Sequence, residues 1–175
     1  MENSRPARRR PSPTSHDLRV WRDFVEAGAR IRSLLAARLQ AESGVSAGDY
    51  SVMLALSEAP EKRMRSSKLA ETVGWERSRL SHHLGRMEKR GLVLRAPSSA
   101  DSRGAEVTLT AEGASRFRVA SVAHLRAVQE LFVEAFESSS EADLDAVEAT
   151  TAALRRHLDG FSRREPHPDE ESRFN

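Results

Sequence analysis

The sequence predicts a mainly α-helical chain carrying one small β-hairpin. Three observations support this. Apolar residues recur every three or four positions along most of the 175 residues. The period switches to alternation once, between Leu92 and Thr110. Gly, Pro and Ser cluster where one pattern gives way to the next.

The first helix is expected over residues 17–43, through Leu18, Trp21, Phe24 with Val25, Gly28, Ile31, Leu35 and Leu39. At the α-helical rise it is roughly 40 Å long. "SGVS" ends it, and Ser46 is placed to cap a second helix, "AGDYSVMLALSE", closed by Pro60. Ser66 or Ser67 is expected to cap a short third helix, "SKLAETV", stopping at Gly74. A fourth follows from about Glu76 to Arg90, with Gly91 just past its end. "LVLRA" and "AEVTLT" then read as two strands joined by the loop "PSSADSRG". Thr110 is expected to cap a fifth helix through Phe117, Val122, Leu125, Val128, Phe132 and Phe136 to about Glu137. Ser140 and Asp143 stand at capping-box spacing before a sixth helix over 141–161. Residues 1–16 read as a flexible basic arm and 162–175 as a disordered tail.

Composition excludes several functions. There are no cysteines, so disulfides, thiolate zinc sites and cysteine redox sensing are out, in keeping with a reducing cytoplasm. No apolar run reaches the ~18 residues of a membrane span, so no membrane partner is expected. No nucleophile–base set, carboxylate pair or Gly-rich phosphate loop is recognisable, so an enzyme is not expected. The histidines are scattered, and adjacent His82 and His83 diverge by about 100° on a helix, so neither a metal nor a cofactor is expected.

Charge is unevenly spread. The chain carries a net +2, yet Lys62 to Arg103 hold eleven Lys and Arg against four acids, a local +7 flanked by acidic segments. A basic centre of this kind suits a polyanion.

The stretch "SRLSHHLGRMEKRGLV" concentrates that charge. On a helical wheel Leu80, Leu84 and Met87 form a narrow stripe, while Ser78, His82, Gly85 and Lys89 lie opposite, with Arg79, Ser81 and Arg86 on the shoulders. Preceded by a short helix and a turn at Gly74, this has helix-turn-helix spacing, and the hairpin behind it would form a wing. The outward face has the chemistry of a major-groove reader, where Arg addresses guanine and Ser or His makes single contacts. Gly85 costs roughly 1 kcal/mol of helix propensity relative to Ala, which a close phosphate backbone would explain. Arg103 at the wing tip would reach the duplex beside the minor groove, supported by Asp101.

The segment "SKLAETVGWERSRLSHHLGRMEKRGLVLRAPSSADSRGAEVTLTAEG" resembles the DNA-binding core of the MarR family of bacterial winged-helix regulators. The match rests on the recognition helix, the wing-tip "DSRG" and the following "LTAEG"; helix order extends it from about residue 17 to 161. The resemblance implies a winged helix-turn-helix lobe over about 46–110 and dimerisation helices over 17–43, 111–137 and 141–161. It further implies a cytoplasmic homodimer on a near-palindromic double-stranded operator, acting as a repressor and answering to a small-molecule effector. Carried over by position, DNA contacts fall on Arg77, Ser78, Ser81, His82 and Arg86, and the wing contact on Arg103. Arg79, Arg65 and Lys68 complete the expected DNA-facing set, and Trp21, Phe24, Tyr50 and Met53 are the candidates for an effector pocket. Glu76 departs from the family's Ser-type cap, and the missing cysteine excludes the thiol-based peroxide sensors. The alternative to DNA binding is a winged-helix protein-interaction module, which would need neither the basic centre nor the basic arm.

Overall fold

The computed structural model describes residues 12–97, 105–137 and 144–162, which fall into two compact units divided after Val128. In the first unit, α1 (Ser15–Ser43) begins two residues earlier than expected, because Thr14 and Asp17 form a capping box. The Thr14 hydroxyl accepts from Asp17 N at 3.2 Å, and Asp17 accepts from Thr14 N at 2.8 Å. Gly44 closes the helix at φ 67°. Next, α2 (Ala47–Glu58) starts at Ser46, whose hydroxyl accepts from Asp49 N at 3.1 Å.

A short strand that the sequence pattern did not reveal comes next: β1 (Arg63–Arg65). Three residues of which two are arginines give no periodic signal, yet Met64 turns inward while both arginines stay exposed. Directly after it, α3 (Ser66–Val73) has Ser66 as its first helical residue; Arg65 is the N-cap, without a side-chain bond. The expected serine cap is therefore not formed. Gly74, at φ 68°, turns the chain, and Trp75 N donates back to Ala70 O at 2.9 Å. Helix α4 (Arg77–Lys89) follows, ended by Gly91 at φ 70°.

Strands β2 (Val93–Pro97) and β3 (Ala105–Leu109) form the expected antiparallel hairpin, with Arg95 opposite Val107. The sheet has three strands rather than two, since β1 pairs with the outer side of β3 through Met64 and Val107. Asp101, Arg103, Ser140 and Asp143 lie outside the described residues.

One core serves α2, α3, α4 and the sheet. Val52, Met53 and Leu56 meet Leu69, Leu80, Leu84, Met87, Val93 and Val107, all 2% exposed or less. The alternation of inward Val107 and Leu109 is what a half-buried strand requires.

Thr110 caps α5 (Ala111–Val128), its hydroxyl accepting from Gly113 N at 2.9 Å and donating to Gly91 O at 2.6 Å. The buried side of α5 differs from the predicted stripe. Ala120, Ala123 and Ala127 are buried, whereas Val122 and Leu125 are exposed. Small side chains let α5 pack closely along α1. In the second unit, Gln129–Val133 form a π-helical turn and α6 spans Glu134–Glu137, so the single helix expected to Glu137 is interrupted. Its Phe132 and Phe136 rings meet edge to face at 5.1 Å. Helix α7 spans Leu144–Ser162. Among the described residues no helix is long and apolar enough to cross a membrane.

Candidate nucleic-acid interface

Helix α4 divides its side chains cleanly. Leu80, Leu84 and Met87 are at most 1% exposed. Arg77, Ser78, Arg79, Ser81, His82, Arg86 and Lys89 are all exposed. The split follows from the 3.6-residue period: three apolar residues spaced four and three positions apart occupy one side, and the residues opposite them face water.

Several basic residues on or near this face are held by neighbours. The Arg79 guanidinium lies 4.5 Å from the centre of the Trp75 ring, a cation–π contact that restricts its rotamers. Arg86 Nη2 donates to His83 Nδ1 at 2.9 Å. Lys68, on α3, pairs with Glu71 at 3.2 Å, an exposed bond that phosphates can readily replace. Arg65, at the end of β1, is exposed beside the start of α3.

The single acid of the helix has a separate task. Glu88 accepts twice from Arg95 of β2, at 3.0 Å from the backbone N and at 2.8 Å from Nε, and the Arg95 Nη2 pairs with it at 2.7 Å. These hydrogen bonds hold the Glu88 carboxyl below its ordinary pKa. Glu88 therefore fastens the hairpin to α4 and neutralises Arg95 rather than an outward cation of α4.

Arg90 is withdrawn from the outward face. Its guanidinium forks onto Asp49 of α2, at 2.9 and 2.7 Å, and Asp49 is only 2% exposed. Burial alone would raise the Asp49 pKa, but the Arg90 and Ser46 hydrogen bonds and the charges of Arg90 and His83 outweigh it and hold it below 3.8. The bidentate geometry makes this a strong tie between α2 and the end of α4. The half-buried His83 completes the cluster. Its Nε2 lies 3.0 Å from Asp49 Oδ1, close enough for attraction but not aligned as a hydrogen bond. Its ring meets Trp75 edge to face at 5.0 Å. A Cβ on Gly48 would lie 3.0 Å from His83, so α2 and α4 are in close contact here.

No protein-family model matches this sequence, and no curated protein matches it. Solved structures do. The chain is similar to AbsC, a MarR family transcriptional regulator from Streptomyces coelicolor, at 30% identity and TM-score 0.76, covering 86% of this chain and 99% of that one. The chain belongs to the MarR family. It is also similar to Sco3205, a MarR family transcriptional regulator from the same organism solved in complex with DNA, at 28% identity and TM-score 0.77, covering 87% and 92%. A mutant MarR from E. coli complexed with operator DNA shares the fold at 22% identity and TM-score 0.65, covering 84% and 99%.

Within this MarR-family lobe, Arg77, Ser78, Arg79, Ser81, His82 and Arg86 share the exposed part of α4. The four pocket candidates do not come together. Met53 is wholly buried in the core, and Tyr50 packs against Phe117 and His124 at 5.4 and 4.6 Å between ring centres. Trp21 and Phe24, 63% and 54% exposed, stand on the outer side of α1. Two are core residues and two are surface residues of a single copy. A cavity of about 340 Å³ instead opens between α2 and α4, beside Gly48, Trp75, Arg79, His83 and Arg86. Sequence reasoning missed Asp49, His83 and the Glu88–Arg95 tie. Asp49 carried one signal, its capping-box spacing from Ser46, but its partner Arg90 is 41 residues away.

Proposed function

We propose that this chain is a sequence-specific double-stranded DNA-binding transcriptional regulator, a homodimeric repressor on a near-palindromic operator. The observation that carries the reading is the division of α4, which buries its apolar stripe to 1% or less and leaves cationic and hydrogen-bonding side chains outward. Ser78, Ser81, His82 and Arg86 are assigned to base edges, with Arg77, Arg79, Lys68 and Arg65 on phosphates. Arg103 of the wing loop, supported by Asp101, is assigned the contact beside the minor groove. The MarR family relatives solved with DNA support this reading.

The dimer is supported by apolar residues left uncovered in one copy. Leu18, Trp21, Phe24 and Val25 on α1, Val122 and Leu125 on α5, and Leu154, Leu158 and Phe161 on α7 are each at least 40% exposed. So many large apolar side chains call for a partner surface. Relief of repression by a small molecule belongs to the same reading.

Selection of bound duplexes from a random library, followed by a salt titration, tests the proposal. The account expects an inverted repeat with half-sites about one helical turn apart and affinity falling steeply with salt. Enrichment of no sequence, with binding to protein partners instead, would favour the interaction-module reading.

A further inference from the structure

Arg86 is the one base-reading cation on α4 held by a titratable side chain, and the hydrogen-bond chemistry fixes that side chain's state. An arginine has donors and no acceptor. The 2.9 Å contact from Arg86 Nη2 to His83 Nδ1 therefore requires Nδ1 to be unprotonated. The imidazole proton then sits on Nε2, the nitrogen 3.0 Å from the buried Asp49 carboxylate. Asp49 is anchored in turn by Arg90 and by the Ser46 hydroxyl, the latter at 2.8 Å. Trp75 packs edge to face against the ring, and Gly48, having no Cβ, leaves the ring room to sit close against α2. A line of contacts thus runs from α2 through an oriented imidazole to Arg86 on the exposed side of α4.

We propose that His83 is a positioning residue for DNA recognition: as the neutral Nε2–H tautomer facing the Asp49 carboxylate, it holds the Arg86 guanidinium in the direction that reads a base. The inference rests on the DNA-binding reading above and adds a residue that does not itself touch DNA. A long, flexible arginine loses rotamer entropy when it docks, and an acceptor that restricts it beforehand lowers that cost. Protonation of His83 replaces the Nδ1 lone pair with an N–H, which cannot accept from Arg86 and places two cations together.

The surroundings of the ring favour the neutral form at neutral pH. Burial pushes the imidazole below its ordinary value of 6.5; the Asp49 charge opposes this, and Arg86 and Arg90 reinforce it. Charged groups face His83 from both packed helices: Asp49 from α2, and Arg79, Arg86, Lys89 and Arg90 from α4. Acidification through the His83 pKa therefore releases Arg86 while adding positive charge. Non-specific attraction rises as specific reading weakens.

The test is a double-mutant cycle on the full chain, with the library-selected duplex and a random duplex as probes. His83→Ala should weaken binding to the selected duplex roughly tenfold, the scale of one charge-assisted hydrogen bond. It should leave the random duplex almost unaffected, because no charge is lost. In an Arg86→Ala background the same change should cost less than about twofold, since its target is gone. His83→Asn keeps an acceptor oxygen where Nδ1 stood and should recover most of the loss. Lowering the pH from about 7.5 to about 5.5 should reduce the ratio of specific to random affinity more in the wild type than in His83→Asn. His82, present in both proteins, cancels in that comparison. If His83→Ala fails to fold, the Asn variant and the wild-type pH profile decide alone. Equal losses in both backgrounds, tighter binding by His83→Ala, or identical pH profiles for wild type and His83→Asn would overturn the inference. A wild type that selects no duplex overturns the DNA-binding reading itself, whereas a selected duplex indifferent to His83 overturns this step alone.

Discussion

Gly113 in α5 and Gly85 in α4 both lie inside helices, and their surroundings differ. At Gly113, in the first turn of α5, a Cβ would sit 2.0 Å from the Leu92 carbonyl oxygen and 2.8 Å from Leu109. Here the backbones of α5 and of the turn after α4 touch, and Thr110 stitches them through Gly91 and Leu92. At Gly85, on the outward side of α4, a Cβ would meet nothing nearer than an Arg95 nitrogen at 4.0 Å. The fold requires the first glycine and places no demand on the second. At Gly113 residue choice is set by the chain's own packing; at Gly85 that packing sets no such limit, and a closely approaching duplex, as proposed above, would supply one.

Substitutions can break this contrast, and the interior should respond most. Gly113→Ala should cost about 4 kcal/mol, at the severe end for single changes, because the clash is with backbone that no rotamer can relieve. Chemical denaturation would measure it, and a loss below about 1 kcal/mol would mean the helix start shifts freely. Leu84→Ala should cost roughly 3 kcal/mol through lost burial and an unfilled cavity.

Asp49→Asn tests the buried tie. It should cost about 2–3 kcal/mol at neutral pH, less than a fully buried pair because Arg90 is half-exposed. The sign of its pH dependence follows from the depressed carboxyl. With the folded pKa below 3.8, the Asp49 contribution is complete above the unfolded value, close to 4, and disappears as the pH falls through the lower folded value. Wild type and variant should therefore converge in stability on acidification. A constant gap down to about pH 2 would show that shape rather than charge holds the two helices together.

Gly85→Ala gives the sharpest contrast. With open space around the new methyl group, the helix should gain about 1 kcal/mol of stability. If a phosphate backbone or base edge approaches here, the same change should weaken DNA binding. A variant both more stable and equally good at binding DNA would place the duplex elsewhere.

How much was legible in the sequence follows from the range of each interaction. The helices, their Gly termini, the hairpin and the α4 stripe are local patterns, repeating within a few residues, and the structure reproduces them apart from the break after Val128. β1 was hidden because three residues cannot show a period, and its pairing with β3 is a tertiary event. The buried side of α5 was misplaced for a related reason: the pattern favoured large apolar residues such as Val122 and Leu125, whereas close helix packing selected Ala120, Ala123 and Ala127. The outward face of α4 could be read from spacing alone. The contacts behind it could not. Asp49 with Arg90, His83 with Asp49, and Glu88 with Arg95 join separate elements, and a charge reading places Arg90 and Arg95 in a basic surface when each already has its counter-ion.

The central claim is that α4 separates folding from recognition between its two sides. The most direct measurement is a paired one on the variant carrying Ser78→Ala, Ser81→Ala, His82→Ala and Arg86→Ala together. Its thermal midpoint and its affinities for selected and random duplex are compared with wild type. The account predicts a nearly unchanged midpoint, as expected for solvated positions, with the preference for the selected duplex largely abolished. A preference retained in full, or a midpoint that falls while DNA binding survives, would contradict it.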